Sequence, residues 1–180
     1  MRMRKPYEHS WELLIGIPKG SLIDFETTGL NPCQDEIVTF RYIEGSSLKI
    51  TQRKGGSEAD FLKLISCDLR RLPQPFYAYN AKFERDFIKT KFEMDAKFVD
   101  LMESWRKKAA ENNIKWPKLG ELISEPEEYF GERIIEGKDV PELWNKYLRT
   151  KNFKHLKPII RHNQIDLLRE LVLLIHYQIK

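Results

Sequence analysis

Carboxylates at three separated places in this chain have the types and local settings to hold a hard divalent cation. The first place is Ile23-Asp24-Phe25-Glu26-Thr27-Thr28-Gly29-Leu30. Side chains alternate across a strand, so Asp24 and Glu26 leave by the same face, where an apolar run opens into a loop. The second is Tyr79-Asn80-Ala81-Lys82-Phe83-Glu84-Arg85-Asp86-Phe87. Phe83 and Phe87, four apart, would anchor a helix and leave Glu84 in its opening turn. Asp86 lies about 200° around that helix from Glu84, so at most one of the two points inward. The third is Arg161-His162-Asn163-Gln164-Ile165-Asp166. His162 and Asp166 are about 40° apart on a helical wheel and flank an apolar stripe of Ile165, Leu168, Val172, Ile175 and Ile179.

Taken singly, each place has a plain explanation: an acidic strand end, an exposed helix acid, an i,i+4 His/Asp pair that steadies a helix. Gathered together they would behave differently. Two carboxylates about 4 Å apart repel by about 4 kcal/mol at an effective dielectric of 20. Net domain stability is only about 5 to 15 kcal/mol, so a fully ionised cluster must bind cations or take up protons. Mg²⁺ suits such a cluster, because it takes oxygen ligands, keeps several waters and leaves room for a substrate phosphate. An imidazole beside it, with an ordinary pKa of about 6.5, can orient or deprotonate water.

The elements that must position these side chains are readable from periodicity. Ser21 to Phe25 reads as a buried strand, and Glu36 to Glu44 and Ser47 to Arg53 as two more joined at Gly45-Ser46, giving an antiparallel meander. Asp60 to Leu72 has helical spacing, with Ser57 as a cap a little upstream and Pro73 and Pro75 as its stop. Phe76 to Tyr79 reads as a short strand, Ala81 to Phe92 as a helix and Phe98 to Asp100 as a further short strand. Asp100 and Glu103 have capping-box spacing for a helix starting at Leu101. Helices are also predicted over Trp116 to Ser124, Val140 to Arg149 and from about Pro158 onward, with Pro126 to Asp139 as a mobile loop. This order predicts an α/β fold: a five-stranded mixed sheet, three strands antiparallel and two parallel, flanked by helices.

Composition agrees with one globular domain. The chain has 180 residues, 41% hydrophobic and 32% charged, which is enough to bury a core and unlike a disordered or fibrous composition. The division expected is an N-terminal extension over 1–20 and a single domain over 21–180. Its longest nearly apolar run, Leu167 to Ile175, is too short to cross a bilayer, and the stretch Trp11 to Ile17 lacks a secretory cleavage pattern, so a cytoplasmic location without a membrane partner is expected. Cys33 and Cys67 form no CxxC pair and read as free thiols. The net charge of +4 permits a phosphate-bearing partner without requiring one. Nothing in the sequence fixes an oligomeric state.

In order and setting, the three acidic places resemble the motifs of the DEDD superfamily of 3′-to-5′ exonucleases, which have an RNase H-like fold. Asp-Phe-Glu-Thr-Thr-Gly-Leu is similar to the first motif almost without change. Asn80 to Glu84 resembles the second, with Glu where Asp is usual. His162 to Asp166 resembles the third, combining the tyrosine branch's spacing with the histidine branch's residue. The resemblance runs from residue 21 to residue 176.

The resemblance implies two Mg²⁺ or Mn²⁺ ions. Asp24 would be shared between them, Glu26 and Asp166 would complete one site, Glu84 would support the other, and His162 would orient or deprotonate water. It also implies that Thr27, Thr28 and Leu30 touch the terminal nucleotide, with Leu30 wedged against its base and Asn80 and Phe83 lining the same pocket. The substrate would be the single-stranded 3′ end of DNA or RNA. A module that binds nucleic acid without cutting it is the alternative. Lys115, Lys118, Lys157 and Arg161 could hold phosphates, although scattered basic residues more often serve as solvated surface. Trp105, Trp116 and Trp144 sit in helical patterns and read as core or groove wall. His9, His155 and His176 have no partner at ligand spacing and read as surface or packing residues.

Overall fold

Apolar residues alternate or cluster just where the chain needs a buried sheet. The computed structural model describes residues 19–123 and 135–179. Among the described residues five strands form: β1 Ser21–Thr27, β2 Ile37–Glu44, β3 Ser47–Gln52, β4 Phe76–Ala78 and β5 Phe98–Asp100. Their order across the sheet is β3-β2-β1-β4-β5, with β1, β2 and β3 antiparallel and β4 and β5 added in parallel to β1. The helices are α1 Glu58–Arg71, α2 Lys82–Phe92, α3 Glu103–Glu111, α4 Leu119–Leu122, α5 Val140–Thr150 and α6 Leu156–Ile179. This is the mixed five-stranded α/β architecture that the sequence predicts.

Register decides which face each strand residue shares. Asp24 pairs with Arg41, Phe25 with Phe40 and Glu26 with Thr39, and residues directly opposite in a ladder lie on one face. Ile23, Phe25, Phe40 and Tyr42 therefore point together and pack against Phe61, Ile65 and Leu69 of α1 and Phe87, Ile88 and Phe92 of α2. On the other face Leu22 and Ile43 meet Leu101 and the α6 residues Leu167 and Leu174. Asp24 and Glu26 belong to this second face, so the same alternation that buries the first core turns both acids toward α6.

The β1–β2 register slips between Glu26 and Thr27, leaving Val38 as the extra residue of a bulge. Val38 packs into a separate cluster with Val140, Trp144, Tyr147, Leu156 and Ile159, which joins α5 and the start of α6 to the strand end that bears the acids. Trp144 is thus core, as its helical pattern suggests. The C-terminal ends of the parallel strands β1 and β4 come out side by side. In open α/β sheets, ligand crevices form outside such ends.

Local capping follows the sequence in one case and departs from it in three. Ser57 caps α1, its hydroxyl accepting the backbone N–H of Asp60 at 3.2 Å. The predicted capping box at Asp100 does not form. Its carboxylate accepts the N–H of Met102 and pairs with Arg106 at 2.6 Å, and the helix begins two residues late, at Glu103. The helix predicted over Trp116 to Ser124 is a single turn, α4. Pro117 disfavours helical backbone at Trp116, and the Tyr79 hydroxyl donates to the Pro117 carbonyl at 2.5 Å, which anchors the irregular stretch ahead of α4. The final helix starts at Leu156, two residues before the Pro158 expected to open it. Within the predicted loop, residues 135–139 include a 3-10 turn at Gly137–Asp139, while 126–134 and the N-terminal extension up to residue 18 lie outside the described residues. Cys33 and Cys67 are free thiols, both exposed. Among the described residues, no helix is long and apolar enough to cross a membrane.

Candidate active site

Five of the side chains singled out in the sequence, Asp24, Glu26, Glu84, His162 and Asp166, line one cavity of about 580 Å³. They arrive from three directions. β1 supplies Asp24 and Glu26 from its α6-facing side, the first turn of α2 supplies Glu84, and α6 supplies His162 and Asp166 from successive turns. Phe87, Ile88 and Phe92 fix the rotation of α2 in the core, and that rotation buries Glu84 while leaving Asp86 partly exposed in an ion pair with Lys82 at 2.5 Å. The choice between the two acids left open by the sequence is therefore made by packing: Glu84 faces the site.

Thr27, Leu30, Asn80 and Phe83 also line the cavity. Leu30 stands 84% exposed at its mouth. The loop that carries it is held by Asp35, whose carboxylate accepts the Asn31 N–H at 2.8 Å and the Thr28 hydroxyl at 3.4 Å. A Cβ at Gly29 would meet the Asp35 carboxylate at 2.5 Å, so a larger residue there would displace the side chain that holds the loop. Thr28 does not reach the cavity: its hydroxyl also accepts the Glu36 N–H at 2.9 Å and serves to close the loop. Of the basic candidates, Lys115 and Lys118 line the cavity while Lys157 and Arg161 do not, and Arg161 bonds Gln164 at 3.1 Å. Trp116, half exposed, forms part of the wall beside those lysines.

Two further residues of the site escaped sequence reasoning. Arg41 is 2% exposed and projects from the middle of β2 among the acids, contacting Asp24 Oδ2 through one nitrogen and lying 3.4 Å from Glu26 Oε1 through another. Glu170, equally buried, adds a fifth carboxylate to the lining. Both had signals. An arginine inside the apolar run Ile37 to Ile43 must find an acid if that strand is buried. Glu170 is simply the next four-residue step after His162 and Asp166 on the same helix face.

Charge in the site is crowded. Burial raises the Glu26 carboxyl well above its usual range, with Asp166 and Glu84 pushing the same way. Burial also raises Glu84, to about 8, against the opposing pull of its own backbone N–H and of Arg41. Glu170 is raised well above the ordinary value by burial, although Arg41 and a hydrogen bond from the Tyr79 backbone oppose it. His162 is lowered, chiefly by burial, with the nearby Asp166 resisting the shift and Arg41 and Arg169 adding to it. Its Nε2 lies 3.4 Å from Asp166 and 3.6 Å from Glu26. Arg169 holds Asp166 at 3.0 Å and donates to the Ile123 carbonyl at 2.7 Å, tying α6 to the end of α4.

The donor chemistry fits a hard divalent cation. All the acids offer oxygen, and Glu84 Oε2 and Glu170 Oε2 are buried without a hydrogen-bond partner. Among the described residues, no three His, Cys, Asp or Glu side chains are already arranged to hold a metal ion.

Fold and site together define an α/β domain with an acid-lined cleft at the C-terminal ends of its parallel strands. Residues 22–178 match the family model of the RNase_H superfamily, and the chain belongs to that superfamily. Among solved structures, the apo form of a nuclease is similar, with a TM-score of 0.39 and 13% sequence identity over 87% of this chain and 83% of its own. No curated protein matches the sequence.

Proposed function

We propose that this chain is a metal-dependent 3′-to-5′ exonuclease acting on single-stranded ends of DNA or RNA. The observation that carries the reading is the gathering of Asp24, Glu26, Glu84, His162 and Asp166, from segments far apart in sequence, around one cavity. The motif resemblance and the RNase_H superfamily membership support it. Asp24, Glu26, Asp166 and Glu84 would hold two Mg²⁺ or Mn²⁺ ions, which supply activation of water and neutralisation of charge at the scissile phosphate.

The chain's own residues have the remaining tasks. His162, whose pKa burial lowers, can take a proton at Nε2, where Asp166 stabilises the imidazolium. Arg169 fixes Asp166 from behind. Leu30 and Trp116, both exposed at the cavity, offer apolar surfaces to a terminal base, and stacking of this kind tolerates any base. Lys115 and Lys118 supply positive charge for the phosphates on the same side.

The test is incubation of a 5′-labelled single-stranded oligonucleotide with the protein and Mg²⁺ or Mn²⁺. The expected result is progressive shortening from the 3′ end, reduced by at least about a hundredfold in Asp24→Ala, a loss on the order of that for removing a group essential to transition-state stabilisation. An undegraded substrate overturns the reading. A second reading is favoured by Arg41, which already neutralises the β1 acids. In that reading the domain binds nucleic acid without cutting it, and salt-dependent binding with no cleavage is the result that distinguishes it.

A further inference from the structure

A guanidinium in the middle of a buried strand is an unusual thing for a fold to retain. Three features define its setting. Arg41 is opposite Asp24 in the β1–β2 ladder, and Glu26 is opposite Thr39, so Arg41 and both acids share one face and cannot be separated without changing register. The guanidinium reaches Asp24 and Glu26 through different nitrogens. Burial leaves it no solvent to retreat into.

The guanidinium occupies one oxygen of each carboxylate, Asp24 Oδ2 and Glu26 Oε1. Its positive charge therefore stands against the same acid pair that a divalent cation would approach, and two cations held there in a buried setting repel each other. An alternative place for the guanidinium exists. Asp166, Glu170 and Glu84 all act on Arg41 electrostatically, and Glu84 and Glu170 each have a buried carboxylate oxygen without a hydrogen-bond partner. Arg41 Nε and Nη1 also lack a hydrogen-bond partner, so a shift of the guanidinium toward Glu84 and Glu170 would pair donors and acceptors that are both unsatisfied while leaving Asp24 and Glu26 to cations.

We propose that Arg41 is an internal counterion of the Asp24–Glu26 pair that competes with divalent metal for their oxygens, so that metal entry requires its guanidinium to shift toward Glu84 and Glu170. The inference rests on the reading that these carboxylates hold divalent cations. Arg41 is a positioning residue in this scheme: it sets metal affinity and contributes no group to the reacting phosphate. Without metal it keeps the acidic cleft from repelling itself apart, and with metal it yields.

Isothermal titration calorimetry of the chelator-treated full chain with MnCl₂, at fixed pH and in the absence of nucleic acid, tests the proposal. Wild type is compared with Arg41→Met, which keeps an unbranched apolar stem and removes the guanidinium and its charge, and with Arg41→Lys, whose point charge cannot bridge two carboxylates. The expected result is Mn²⁺ binding about tenfold or more tighter in Arg41→Met, with Arg41→Lys between the two. The gain should vanish when Asp24→Asn is added. If Arg41→Met does not fold without metal, Arg41→Lys alone carries the comparison, and tighter binding than wild type is the supporting result. Mn²⁺ binding that is unchanged or weaker in the folded variants overturns the role of Arg41 while leaving the metal-site reading intact. Failure of wild type and variants alike to bind Mn²⁺ overturns both.

Discussion

Glu84 carries the site's most legible physical signature, because its carboxyl is raised from an ordinary 4.5 to about 8 inside the fold. A raised folded pKa means that the folded protein binds a proton the unfolded chain has lost. The stability tied to this proton is fully present below about pH 4.5 and disappears as pH rises through about 8. Glu26 and Glu170, shifted the same way, add to that slope. His162, shifted down, opposes it, since the unfolded imidazole gives up its proton as pH rises through about 6.5. Comparing a single variant with wild type separates the Glu84 contribution from the rest. In divalent-free buffer, Glu84→Gln should melt several degrees above wild type at pH 8.5 and close to it at pH 5, as followed by thermal unfolding. Equal melting temperatures at both pH values would mean that Glu84 is not held protonated by its surroundings.

At the scale of elements, the cleft depends on an irregular strap rather than on a helix. Residues 112–118 run from the end of α3 to α4 and bring Lys115, Trp116 and Lys118 to the cavity wall. The Tyr79 hydroxyl, bonded to the Pro117 carbonyl, ties that strap to the end of β4, and Arg169 ties the far end of α4 to α6. Tyr79→Phe removes one hydrogen bond and leaves the ring in place, which should cost about 1 kcal/mol. The larger consequence is local. Amide hydrogen exchange over 112–122 should quicken and affinity for a single-stranded oligonucleotide should fall several-fold, while the exchange of β1 and β2 stays unchanged. Uniform exchange in wild type and variant would show that the strap is held by other contacts.

For the molecule as a whole, the net charge of +4 matters less than where it is placed. The cavity has an acidic floor and a rim bearing Lys115 and Lys118, an arrangement suited to phosphates outside and cations within. If those two lysines contact phosphates, each releases counterions on binding. The slope of log affinity against log salt for a single strand should then become shallower by about 0.7 per lysine removed, or about 1.4 in Lys115→Ala/Lys118→Ala. Fluorescence anisotropy across a salt series measures this, and an unchanged slope would assign the phosphates to other residues.

Within any one element, the direction of a side chain is fixed by a local period, so the sequence by itself determined the strands, the main helices and the fact that Asp24 with Glu26, and His162 with Asp166, leave their elements together. It determined the α/β class for the same reason. What it could not determine is how one element is rotated and aligned against another, because that depends on packing summed over residues distant in the chain. The rotation of α2 chose Glu84 over Asp86, the β1–β2 register put Arg41 against Asp24, and the seating of α6 on Leu22 and Ile43 brought Glu170 into the cleft. Tertiary structure alone decided that five acids and one guanidinium share a single cavity.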